Sequence, residues 1–137
     1  MNYWLIKSEP FKYSWQQFLK DGKTFWDGVR NYQARNNLMK MKKGDRCFFY
    51  HSNEGMAIVG IAEVVKEYYT DPTANKSENW VCVDIKPYQE LKIPVTLQTI
   101  KNAKALSAMQ LIKQQRLSVS VVTEQEFETI CKLGGLQ

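Results

Sequence analysis

At 137 residues, with 44% hydrophobic and 24% charged side chains, the chain has the size and composition of one soluble globular domain. No apolar run approaches the ~20 residues a membrane-spanning helix needs. Cys47, Cys82 and Cys131 are an odd, widely spaced set without a CxxC pair. They argue against a disulfide framework and a thiolate zinc site, and for a reducing compartment: the cytoplasm, or the nucleus if the source is eukaryotic.

In chain order, Asn2 to Lys7 has the aromatic and β-branched content of a first strand, and the N-terminus lacks the basic leader of a signal peptide. Ser14 with Gln17 has capping-box spacing, and Trp15, Phe18 and Leu19 give the helix that follows an apolar face before Asp21-Gly22 ends it. A second helix is expected from about Asn31 to Met41, closed by the turn at Gly44-Asp45. Arg46 to Ser52 reads as a buried strand, and Asn53-Glu54-Gly55 turns it into a second arm, Met56 to Tyr69. Gly60 inside that arm predicts a bulge or bend.

Asp71 to Asn79 is a polar loop, and Trp80 to Tyr88 alternates as a strand. Thr96 to Leu111 is weakly helical in two short pieces, and Arg116 to Val122 reads as the last strand. Thr123 with Glu126 repeats the capping-box spacing ahead of a C-terminal helix that stops before Gly134-Gly135. The sum is an α+β fold: five or six strands in a strongly bent, partly closed mixed sheet, with helices flanking it.

The net charge of +5 sits in one segment, where Arg30, Arg35, Lys40, Lys42, Lys43 and Arg46 stand against Asp45 alone while the rest of the chain balances. Charge concentrated this way is what phosphate contact requires, the plain alternative being a solvated helix face. Catalytic motifs are missing: no GxSxG elbow, no glycine-rich phosphate loop, and a single histidine, His51. A lone histidine makes a poor metal site, so no metal and no cofactor are expected, and His51 reads as a hydrogen-bonding residue at a strand end. Glu9 and Asp27 each stand alone and form no acid–base pair.

Residues 25 to 37 carry the strongest signal. Trp26 offers a large π-face, Gly28 a flexible turn, Arg30 and Arg35 planar cations, and Asn31, Gln33 and Asn36 amides, all beside a helix start. Those are the parts for holding a nucleobase: rings stack on its face and amides bond its edge. Singly, each has a duller explanation, such as Trp26 in the core or Arg30 paired with Asp27.

The chain also resembles the EVE domain. The resemblance rests on KSEP (Lys7 to Pro10), YSW (Tyr13 to Trp15), WDGVRNYQARN (Trp26 to Asn36), MKKGD (Met41 to Asp45) and FYHS (Phe49 to Ser52). It continues through GIAEVV (Gly60 to Val65), DPTA (Asp71 to Ala74), PVTL (Pro94 to Leu97) and RLSV (Arg116 to Val119), so it spans residues 1–137 as one stand-alone domain. The resemblance implies a PUA-like β-barrel with flanking helices, similar to the YTH domain. It implies a non-catalytic reader of a modified base, a modified cytosine in DNA or a modified RNA base, which is flipped out of its stack.

By that similarity, Trp26 is the lead stacking residue, in the loop that carries Gly28, Val29, Asn31, Tyr32 and Gln33 across the pocket mouth. Ser8, Glu9, Asn31, Gln33, Tyr50, His51 and Ser52 are expected to contact the base edge, and Leu117, Ser118 and Val119 to form the floor. The expected partner is nucleic acid, without a membrane. Two alternatives stand beside this: a sensor of a free nucleoside or metabolite, and a modified-nucleotide hydrolase using Glu9 or His51.

Overall fold

The structure, a computed structural model, describes residues 1–136. Tyr3–Ser8 (β1) is apolar on both sides: Trp4 and Ile6 enter one core, Leu5 the other. Arg46–His51 (β3) repeats this, with Cys47 and Phe49 on one side and Phe48 and Tyr50 on the opposite one. The continuous CFFY run therefore belongs to a central strand covered on both faces. β1 and β3 run parallel, in register from Tyr3↔Arg46 to Ser8↔His51. A parallel pair needs a crossover. Here it contains Trp15–Asp21 (α1), the two-residue strand Thr24–Phe25 (β2) and Tyr32–Lys40 (α2).

Ala57–Thr70 (β4) pairs antiparallel with β3, and Val81–Thr96 (β5) pairs with β4. β2 adds to β5, and Val119–Val122 (β6) adds to β1. The order is β2-β5-β4-β3-β1-β6, a six-stranded mixed sheet among the described residues. Its ends, β2 and β6, do not pair, so the expected partial closure gives way to a bent but open sheet. α1 and α2 cover one face through Trp15, Phe18, Ala34 and Leu38. Leu97–Asn102 (α3), Gln110–Lys113 (α4) and Glu124–Leu133 (α5) cover the other through Ile100, Leu111 and Ile130.

The bend sits where the sequence marks it. Register shifts flank Gly60, and a Cβ built on that residue would lie 2.4 Å from the Trp15 indole. Gly60 is thus a close approach, letting the Trp15 indole of α1 lie directly against β4. β5 runs well past the expected end at Tyr88. Beyond Ile85 it has no β2 partner, so Pro87 and Pro94 are tolerated and alternation is lost on an exposed flank. The last strand is shorter than expected, starting at Val119, though the Lys7 N–H still donates to the Ser118 carbonyl at 3.1 Å.

Candidate functional site

Parallel pairing puts the C-terminal ends of β1 and β3 side by side, and the Ser52 N–H extends the ladder by donating to the Ser8 carbonyl at 2.9 Å. A cavity of about 680 Å³ opens there, within the ~300–1,000 Å³ typical of small-ligand sites. Three segments wall it: Lys7, Ser8, Glu9, Lys12 and Tyr13 at and after the end of β1, Thr24 to Arg30 leading into α2, and Gln115, Arg116 and Ser118 before β6, with Ser52 and Asn53 completing the lining. The turn after β1 is held by the Ser8 hydroxyl donating to the Tyr13 carbonyl and by the Lys12 and Tyr13 N–H groups donating to Glu9. The Lys7 ammonium, 2.6 Å from the Gln115 carbonyl, ties β1 to the third wall.

Trp26 is half-buried in this cavity. Its backbone N–H donates to the Val83 carbonyl at 2.7 Å. The ring stands edge-on to Tyr13, centroids 6.1 Å apart, and to Phe49, 5.6 Å apart. Two aromatic neighbours thus fix the indole before any ligand arrives, and Tyr13 is itself held by donating its hydroxyl to Asp21 at 2.8 Å.

The loop after Trp26 is anchored by Asp71, a fully buried carboxylate. It accepts from the Gly28 N–H at 2.9 Å and the Arg30 guanidinium at 3.0 Å through one oxygen. The other oxygen accepts from the Thr73 N–H and hydroxyl. Gly28 has φ 78°, a conformation that side chains resist. Burial pushes the Asp71 carboxyl up, but the bonds from Thr73, Gly28 and Arg30 outweigh it and hold the group below its ordinary value. In the sequence Asp71 stands only as the start of a polar loop and of DPTA, with no partner assigned. Arg30 pairs with it and not with Asp27.

Of the residues singled out in the sequence, Ser8, Glu9, Trp26, Gly28, Val29, Arg30, Ser52 and Ser118 line the cavity. The others lie elsewhere, for identifiable reasons. Tyr50 points into the opposite core, because its neighbour Phe49 faces the cavity side. His51 Nε2 accepts the Trp15 N–H at 3.1 Å, holding the start of α1, and burial lowers its pKa toward the neutral form that this bond requires. Asn31 is the N-cap of α2, its side-chain oxygen accepting the Ala34 N–H at 2.9 Å. Asn31, Gln33 and Leu117 border a neighbouring groove with Gln115 and Arg116. Val119 is core, and Tyr32 stacks on Trp80 outside the cavity.

The basic segment is dispersed. Lys42, Lys43 and Arg46 lie at the N-terminal end of β3, across the sheet from the cavity, because β1 and β3 start together. Arg46 lies 3.7 Å from Glu63 and over the Tyr88 ring, Lys42 lies 4.0 Å from Glu67, and Lys40 borders a different hollow beside Met1 and Thr123. Arg35 sits over Tyr32. The cations on the cavity are Lys7, Lys12, Arg30 and Arg116, set against Glu9 and Asp27. Three of these four lie outside residues 30 to 46, so charge clustering along the chain did not mark them. Among the described residues no group of three or more His, Cys, Asp or Glu side chains could hold a metal, and no helix is long and apolar enough to cross a membrane.

The EVE domain model matches residues 2–133. Thymocyte nuclear protein 1 of Mus musculus is 37% identical, over 96% of this chain and 73% of that protein. The crystal structure of an Agrobacterium tumefaciens protein, 49% identical, has a TM-score of 0.97 and covers 99% of this chain and 94% of that one. Human THYN1 protein in complex with DNA containing 5-methylcytosine is 32% identical with a TM-score of 0.91, covering 100% of this chain and 99% of that one. At the level of fold alone, the likeness reaches the YTH domain of the Zygosaccharomyces rouxii MRB1 protein, 13% identical with a TM-score of 0.60.

Proposed function

This chain belongs to the EVE domain family, and we propose that it is a non-catalytic reader that takes a flipped-out modified base into the cavity beside Trp26. The observation that carries this reading is the indole itself, fixed by Tyr13 and Phe49 on the wall of a cavity open to solvent. Stacking on a ring already in place costs little ordering, and a base can reach such a recess only outside its duplex stack. The 5-methylcytosine DNA held by the human relative makes a modified cytosine in DNA the first ligand to try. Ser52 and Ser118 supply hydroxyl groups toward the base edge, Ser8, its proton held by Tyr13, can only accept there, and Lys12 and Arg116 supply charge for flanking phosphate. A hydrolase reading fares worse, since His51 is committed to α1 and Glu9 lies 3.8 Å from Lys12. The buried thiols of Cys47 and Cys82 suit a reducing compartment.

The test is Trp26→Ala. The variant should fold, since the ring is half-buried; removal of a true core tryptophan costs ~3–5 kcal/mol. Its affinity for a 5-methylcytosine oligonucleotide should fall by ~1–3 kcal/mol, and by more than for the unmodified partner. A folded variant that still discriminates refutes the reading, and one that unfolds makes Trp26 a core residue.

A further inference from the structure

Tyr32, the first residue of α2, is 67% exposed. Its ring nonetheless lies flat on Trp80, with centroids 5.2 Å apart and planes at 20°. Trp80 is buried, and its indole N–H donates to Glu78 at 3.1 Å. Arg35, three residues along the helix, brings its guanidinium to 5.0 Å from the Tyr32 ring and 5.9 Å from the Trp80 ring. With Trp80 and Arg35 both against it, Tyr32 still leaves most of its surface to solvent. Arg35 is braced there by the Asn79 carbonyl at 3.3 Å and the Asn36 side-chain oxygen at 3.1 Å. Arg30 joins this group to the cavity: it lines the cavity wall and lies 5.7 Å from the Trp80 ring.

A tyrosine serving only to cover an indole would not need one guanidinium over its own ring and a second over the indole. A surface ring held flat, with cations alongside, matches an unpaired base followed by its phosphate. We infer that Tyr32, seated on Trp80, stacks the base that neighbours the one in the cavity, with Arg35 facing the phosphate between them and Arg30, already paired with Asp71, bordering it. This rests on the base-binding reading of the cavity and adds a second subsite to it. The strand is then gripped at two successive nucleotides, and the protein favours ligands whose flanking base is unpaired over fully paired duplex.

The experiment uses single-stranded 5-methylcytosine oligonucleotides with an abasic residue at one or the other neighbouring position. Tyr32→Ala should bind the intact strand about 5- to 150-fold more weakly, the span expected of one stacked base, while keeping its preference for the modified base. An abasic residue at one neighbouring position should weaken the native protein to a similar extent and leave Tyr32→Ala unaffected. Tyr32→Phe should bind as the native protein does. The inference is overturned if Tyr32→Ala binds the intact strand normally, or if its loss adds fully to the abasic loss at both positions. Failure of the cavity reading has a different signature: Trp26→Ala keeps its preference for the modified base whatever happens at Tyr32.

Discussion

Single carboxylates fix the start of β1 and the loop that walls the cavity. Asp45, at the N-terminal end, accepts from the Asn2 N–H, the Trp4 indole and the Lys42 N–H. Asp71, at the cavity, holds Gly28, Arg30 and Thr73. The bonds to Lys42 and Thr73 are local, but the roles were not legible in the sequence, because Asn2 and Trp4 stand some forty residues from Asp45, as Gly28 and Arg30 do from Asp71. Asp71→Asn removes the charge while keeping the shape. Hydrogen bonds to a charged group contribute ~1.5–3 kcal/mol, so denaturant unfolding should register a loss of about that size. Oligonucleotide affinity should fall as well, because the Gly28 turn loosens. The pH dependence has a definite sign. Asp71 is held below its ordinary 3.8 in the folded state, so its contribution is complete above that value and is lost as pH falls through the lower folded value. The stability gap between native protein and variant should therefore close only in strong acid; a gap that closes near neutrality would assign the loss to another group.

At the scale of elements, what the sequence reveals is local chemistry. Ser14 accepts the Gln17 N–H at 3.1 Å, and Thr123 and Glu126 form the reciprocal box that their spacing implied. Both caps are made within four residues, so they can be read without knowing the fold. Ser14→Ala and Thr123→Ala should each cost ~0.5–2 kcal/mol in thermal or denaturant unfolding, with no change in preference between modified and unmodified base. Lost preference at normal stability in Ser14→Ala would place the ligand against α1. The same locality explains what was missed. β2 is two residues long and exists only because β5 offers it an edge, and β5 outlasts its alternating pattern because β4 supports it. The amide of Asn31 looked like a base contact because nothing in its neighbours separates a cap from a ligand donor. Its oxygen is already occupied by Ala34.

The molecule as a whole decides where charge acts. Along the chain the excess of +5 is confined to one segment, but the parallel pairing of β1 and β3 sends Lys42, Lys43 and Arg46 to the far end of the sheet. Five residue steps of β3 separate Arg46 from His51, roughly 17 Å at the rise of an extended strand. That exceeds the ~8 Å over which physiological salt screens a charge. These cations also have local acidic neighbours in Glu63 and Glu67. A short oligonucleotide with its base in the cavity should therefore meet Arg116 and Lys12 and miss Lys42 and Lys43. Binding should be measured over a range of salt concentrations, where the slope of log affinity against log salt counts phosphate contacts at ~0.7 each for a single strand. Arg116→Gln should shrink that slope by about one contact, equally for modified and unmodified bases. Lys42→Ala combined with Lys43→Ala should leave the slope of a short strand unchanged. If the lysine pair shrinks the slope and Arg116→Gln does not, the strand runs along β3 toward Arg46, and the cavity rim is not where phosphate is held.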